Sequence, residues 1–142
     1  MGPCSVAIIE DEEEIREGLR DAIEAEGYCV ATYANGQEAL EGLVKVAPPG
    51  LILLDLMMPQ MDGWQFLKAR QDLPKPYSES PLYIVSAVAD LHRVESAGAA
   101  GYMRKPLDLD VLLKVVETYC GPALKEKECE RESENRTPDG DR

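Results

Sequence analysis

Leu51-Ile52-Leu53-Leu54-Asp55 is the stretch that decides the fold: four consecutive aliphatic residues with nothing polar between them, stopped by a carboxylate. A strand with one wet face alternates apolar and polar residues, whereas a central strand of a parallel sheet, covered on both faces, does not. Pro48-Pro49-Gly50 stands before this run and blocks helix, so the run starts fresh as a strand. Working outward, Val6 to Ile9, Tyr28 to Tyr33, Leu82 to Val85 and Tyr102 to Met103 are further short apolar runs, and the segments between them read as helices. This is a β/α rhythm repeated five times, and it predicts an α/β fold: a flavodoxin-like, doubly wound, five-stranded parallel sheet of strand order 2-1-3-4-5.

The helical segments carry their own punctuation. Ile15, Leu19, Ala22 and Ile23 form one apolar stripe on an otherwise charged helix that Gly27 can end, and the charged face reads as solvent-facing. Asn35, with Glu38 three residues on, has the spacing of a capping box, and Ala39, Leu40 and Leu43 supply a buried face. Asp108 opens a last helix with Leu112, Val115, Val116 and Tyr119 on one side. Three prolines in residues 74–81 mark a loop.

Composition removes several function classes. The chain has 142 residues, enough for one domain, and its longest apolar runs fall far short of the roughly 20 residues of a membrane-spanning helix. Fifteen basic against 27 acidic residues give a net charge of −12, which repels phosphate backbones and argues against direct nucleic-acid binding. The N-terminus lacks the basic segment and long apolar stretch of a secretory signal, so a cytoplasmic location and no membrane association are expected. Cys4, Cys29, Cys120 and Cys129 show no Cys-x-x-Cys spacing; neither a zinc site nor a disulfide framework is expected, and Cys29 reads as a small core residue. After Gly121 the composition turns almost wholly charged and small, so residues 1–121 read as the domain and 122–142 as a disordered tail.

In such a sheet, ligands bind beyond the carboxyl ends of the strands, in the crevice between the first and third, where the winding reverses. The first strand runs into Glu10-Asp11 and the third delivers Asp55, so three carboxylates converge there. Like charges about 4 Å apart repel by on the order of 4 kcal/mol at an effective dielectric of 20. A divalent cation removes that repulsion, and an all-oxygen donor set favours Mg²⁺. Any one strand-end acid is usually a cap or a surface group; three at the reversal point are a site.

Four segments, Ile8-Ile-Glu-Asp-Glu12, Leu53-Leu-Asp-Leu-Met-Met-Pro-Gln-Met-Asp-Gly63, Val85-Ser-Ala87 and Gly101-Tyr-Met-Arg-Lys-Pro106, occur in this order. Together they resemble the signature segments of receiver domains of the response-regulator family over about residues 5–120, and Asp-Leu-x-Met-Pro-x-Met-Asp-Gly is too long for chance. The resemblance implies that Asp55 accepts a phosphoryl group from a histidine kinase, a phosphotransfer protein or a small acyl phosphate. It implies Mg²⁺ held by Asp11 directly, by Glu10 through water, by Asp55 and by the backbone carbonyl of Met57. Lys105, after a family-typical cis peptide to Pro106, would pair with phosphoryl oxygens; Ser86 would hydrogen-bond the group, and Tyr102 would be the aromatic switch that moves inward behind it. The readout would be a protein target or an output domain, with a phosphorylation-dependent dimer as one form of output. The domain would be a switch rather than an enzyme.

This chain departs from the pattern in places. The stretch from Ser86 to Lys105 is about three residues shorter than in many receivers and leaves room for only a short fourth helix. Met57 and Val88, each two residues beyond Asp55 or Ser86, are apolar and predict a long-lived phosphoryl state. The single histidine, His92, reads as a surface residue, so the phosphodonor comes from elsewhere. Two other readings compete. A haloacid-dehalogenase-like phosphatase needs an acidic proton donor where Met57 stands. A degenerate receiver serving only as a binding platform would not be expected to keep every site group.

Overall fold

In the computed structural model the described residues are 5–56, 58, 61–87, 91–96 and 98–121. They form β1 (Ser5–Ile9), α1 (Glu13–Ala25), β2 (Cys29–Tyr33), α2 (Gly36–Leu43), β3 (Leu51–Asp55), α3 (Gly63–Arg70), β4 (Leu82–Ser86), α4 (Leu91–Ser96), β5 (Gly101–Arg104) and α5 (Leu109–Cys120). The five strands make one parallel sheet in the order β2-β1-β3-β4-β5, as the alternation of runs and stripes predicts. β3 lies at the centre and all five of its residues are buried. No helix among the described residues is long and apolar enough to cross a membrane.

The two-residue side-chain alternation of each strand divides the core into two layers. Ala7, Ile9, Ile52, Leu54, Leu82 and Ile84 meet Ala39 and Leu43 of α2, Phe66 and Leu67 of α3 and Val94 of α4. Val6, Ile8, Leu51, Leu53, Val85 and Met103 meet Leu19 and Ile23 of α1 and Leu112 and Val116 of α5 on the other side. Each fully buried aliphatic side chain contributes about 2 kcal/mol, so β3, feeding both layers, anchors the sheet.

Helix entry follows the expected chemistry with one difference. The Asn35 side chain accepts a hydrogen bond from the Glu38 N–H at 2.8 Å, but the Glu38 carboxylate accepts from Ala34 N–H at 2.9 Å, one residue before the cap. A full reciprocal box occurs instead at α3, where Asp62 and Gln65 satisfy each other's backbone N–H groups. Asp108 caps α5 through Asp110 N–H at 2.9 Å. Gly27, at φ 101°, lets the chain leave α1 in a left-handed conformation.

The proline loop is more ordered than a plain loop. It holds a 3₁₀ turn at Tyr77–Glu79, and the buried Arg70 guanidinium donates to Ser80 O at 2.8 Å while Ser80 Oγ donates to Pro49 O at 2.8 Å.

The reading of the cysteines is corrected. Cys29 is only half-buried, because β2 is an edge strand whose five residues are all partly exposed, and both Cys29 and Cys120 are disulfide-bonded. Disulfides depend on which chain segments the fold brings together, and sequence spacing does not show that. Met57, Val88, the side chain of His92 and residues 122–142 lie outside the described residues.

Candidate functional site

Parallel pairing puts the ends of β1 and β3 side by side: Ile9 is in register with Leu54, so Glu10 and Asp55 are the next residues out on adjacent strands. Both are almost wholly buried, at 2 % and 4 % exposure, which is unusual for carboxylates without compensating charge. With Asp11 they offer three carboxylate oxygens that all lie within 4.8 Å of one another.

Glu10 is held on every side. Its N–H continues the β1–β2 ladder to Tyr33 O at 3.1 Å, and its carbonyl accepts from Arg16 Nη1 at 2.9 Å. Oε2 accepts from Glu12 N–H at 3.2 Å, and Oε1 accepts from Lys105 Nζ at 3.1 Å. The longer side chain of Glu thus reaches a helix-entry N–H with one oxygen and the lysine with the other. Asp11 differs: its Oδ1 is buried and is the one buried side-chain oxygen or nitrogen among the described residues with no hydrogen-bond partner. An orphaned carboxylate oxygen beside two other buried carboxylates is a fit for a hard divalent cation, and Glu10, Asp11 and Asp55 are the residues able to hold one.

Lys105 enters from the end of β5, after which the Lys105–Pro106 peptide is cis. Its ammonium lies 3.7 Å from Asp55 Oδ1 as well as 3.1 Å from Glu10. Burial alone pulls its pKa down, but the hydrogen bond and charge of Glu10, together with the charges of Asp55 and Glu12, more than offset this and raise it above the ordinary lysine value. The cation therefore stays charged in the crevice.

Ser86 is buried at the end of β4, and its carbonyl accepts from Lys105 N–H at 3.0 Å. Ile84 pairs with Tyr102 and Ser86 with Arg104, so Ser86 and Tyr102 share one face of the sheet. Tyr102 is half-buried against the layer containing Ile84 and Val94. The structure therefore brings Glu10, Asp11, Asp55 and Lys105 together, with Ser86 beside them and Tyr102 one pair of residues back from the crevice.

Two contributors escape a reading by sequence. Arg16 lies on the charged side of α1, where the stripe pattern marks only solvent; the available signal is an arginine one turn into the helix that follows two acids. Gly63 is the other. A Cβ there would sit 2.7 Å from Leu56 Cα and 2.9 Å from Asp55 O, so only glycine lets α3 start against the end of β3.

Residues 6–117 match a family model described as the response regulator receiver domain. The chain belongs to this receiver family. Among similar proteins, the polar-differentiation response regulator DivK of Brucella anthropi is 34 % identical over 124 residues, 85 % of this chain and 99 % of that one. The chemotaxis protein CheY4 of Vibrio cholerae superposes with a TM-score of 0.75 at 28 % identity, covering 82 % of this chain and 98 % of that one. A CheY-like receiver domain protein of Methanospirillum hungatei gives 0.72 at 26 % identity, covering 93 % and 98 %. The receiver is thus a module of two-component signalling, a class of switches rather than enzymes, and its carboxylates occupy the crevice where the fold binds ligands.

Proposed function

We propose that this receiver is switched by phosphorylation of Asp55. The observation that carries the reading is the meeting of two buried carboxylates, the half-buried Asp11 and the Lys105 ammonium at the carboxyl ends of β1, β3 and β5. Asp55 supplies the attacking oxygen: a new O–P bond forms as the bond between phosphorus and the donor's histidine nitrogen or carboxylate oxygen breaks. A carboxylate is a modest nucleophile, so the rate depends on in-line positioning and on charge neutralisation.

Asp11 and Asp55 would hold Mg²⁺ directly, joined by the Met57 carbonyl. Glu10, with one oxygen on Glu12 N–H and the other on Lys105, would act at one remove through water. When bound, the ion supplies neutralisation of the negative charge on the phosphoryl oxygens. Lys105 adds a compact point charge to the same oxygens. Ser86, buried next to Lys105, hydrogen-bonds the arriving group, and Tyr102, on the same sheet face, follows it inward. A dianionic group thereby reshapes the surface near α4 and β5 for a protein target or an output domain, with dimerisation as one outcome.

The donor is a histidine kinase or a phosphotransfer protein. Disulfide-bonded Cys29 and Cys120 suit an oxidising setting, whereas a histidine kinase or phosphotransfer donor supports the cytoplasmic location expected from the sequence. Residues 1–121 constitute the receiver, with 122–142 a charged tail.

Intact-mass measurement after incubation with acetyl phosphate tests this. One phosphoryl adduct that requires Mg²⁺ and is absent from Asp55→Ala is expected. An adduct that survives Asp55→Ala overturns the assignment of the acceptor, and no adduct under any condition leaves a binding platform as the function.

A further inference from the structure

We infer that Arg16 is a positioning residue of the cation site, a role resting on the proposed Mg²⁺-dependent chemistry. Its Nη1 donates to Glu10 O at 2.9 Å, and that carbonyl belongs to the peptide linking Glu10 to Asp11. The orientation of this peptide fixes where Asp11 directs its unpartnered, buried Oδ1. The N-cap residue of α1, Glu12, makes no side-chain capping bond, so the entry into the helix relies on the Glu10 carboxylate accepting from Glu12 N–H and on Arg16 reaching back over the same turn. Arg16 N–H also donates to Glu12 O at 2.9 Å as a backbone bond of the first turn of α1, and a helical side chain tilts toward the helix N-terminus, which is the side of the loop it secures.

Charge and position pull in opposite directions here, and that makes the role testable. A cation held at the Glu10 carbonyl, next to an acidic cluster, competes electrostatically with a divalent ion, so removing Arg16 as a charge alone would tighten Mg²⁺ binding. Removing it as a support loosens the Glu10–Asp11 peptide and weakens Mg²⁺ binding. Arg20, on the same helix, is a control: among the described residues it pairs with Glu17 and Glu24 at the surface, at 3.4 and 3.6 Å.

The experiment is calorimetric titration with MgCl₂ of the full chain as wild type, Arg16→Met, Arg16→Lys and Arg20→Met, each with a thermal melt in the absence of Mg²⁺. Arg16→Met should bind Mg²⁺ about tenfold more weakly and Arg20→Met as wild type, within about a factor of two. Arg16→Lys, which keeps the charge but not the reach of the guanidinium, should fall between wild type and Arg16→Met. Saturating Mg²⁺ should restore acetyl phosphate labelling of Arg16→Met. Unchanged or tighter Mg²⁺ binding by Arg16→Met overturns the inference; should that variant fail to fold, unchanged or tighter binding by Arg16→Lys does the same. Absence of Mg²⁺ binding in wild type is a different failure and removes the underlying reading of the site.

Discussion

At the residue scale, the site is a balance of like charges. Three buried carboxylate oxygens within 4.8 Å of one another repel by on the order of 3 kcal/mol per ionised pair at an effective dielectric of 20, and Lys105 offsets part of this. Asp11→Asn should therefore raise the melting temperature of the metal-free receiver by a few degrees while reducing Mg²⁺ affinity at least tenfold. A melt with and without MgCl₂ checks both; a variant that is less stable and still binds Mg²⁺ normally contradicts the account. The strand-end positions of the acids, Lys105 and Ser86 were legible from the apolar runs and the motif order, while the roles given to them are those the resemblance implies. Arg16 was not, since helical periodicity separates buried from exposed faces and says nothing of a long side chain folding back past the helix start. The apolar Met57 and Val88 keep their expectation from sequence alone: Met57→Asn and Val88→Glu should speed loss of the phosphoryl group, read as adduct decay by intact mass.

Elements turn these residues into a crevice. β3 is legible as a central strand from four unbroken aliphatic residues, and the caps at Asn35 and Asp108 from their spacing, because a buried face and an unsatisfied N–H each demand a residue type. The displaced partner of Glu38 and the disulfide bonding of Cys29 and Cys120 were not legible, because both depend on local turns and neighbours that no periodicity encodes. Gly63→Ala puts a methyl group against Leu56 Cα and Asp55 O, both backbone atoms, and the helix start or the strand end must move. A loss of about 1–3 kcal/mol of stability is expected, with slower labelling of Asp55 by acetyl phosphate. Urea unfolding and adduct formation rates measure the two effects; a stable variant labelled at the wild-type rate would show that this close approach does not position the acceptor.

For the whole molecule, the acidic balance and the parallel sheet were readable in advance, while the pH response emerges only from the packing. Burial raises the pKa of Tyr28, Tyr33 and Tyr83; the charges of Glu117 and Glu26 add to it at Tyr28, and the hydrogen bond and charge of Tyr119 at Tyr83. Lys105 is raised as well, by Glu10 above all. Groups whose pKa is higher in the folded chain give up their protons first in the unfolded one. Their contribution is complete below about pH 10, the ordinary tyrosine value, and is lost as pH climbs through the folded values. Tyr28 would also lose the hydrogen bond it donates to Gly121 O at 2.7 Å. Thermal melts should hold level from pH 8 towards 10 and fall beyond it, whereas a melting temperature unchanged to pH 11 would contradict this reading.

Chemical trapping identifies the acid that receives the phosphoryl group. Borohydride reduction of the acetyl phosphate-treated protein converts an aspartyl phosphate to homoserine, which peptide sequencing by mass spectrometry locates. Homoserine is expected at position 55 and nowhere else, formed only when Mg²⁺ is present. Homoserine at another aspartate, or at position 55 without Mg²⁺, would overturn Asp55 as the Mg²⁺-dependent acceptor.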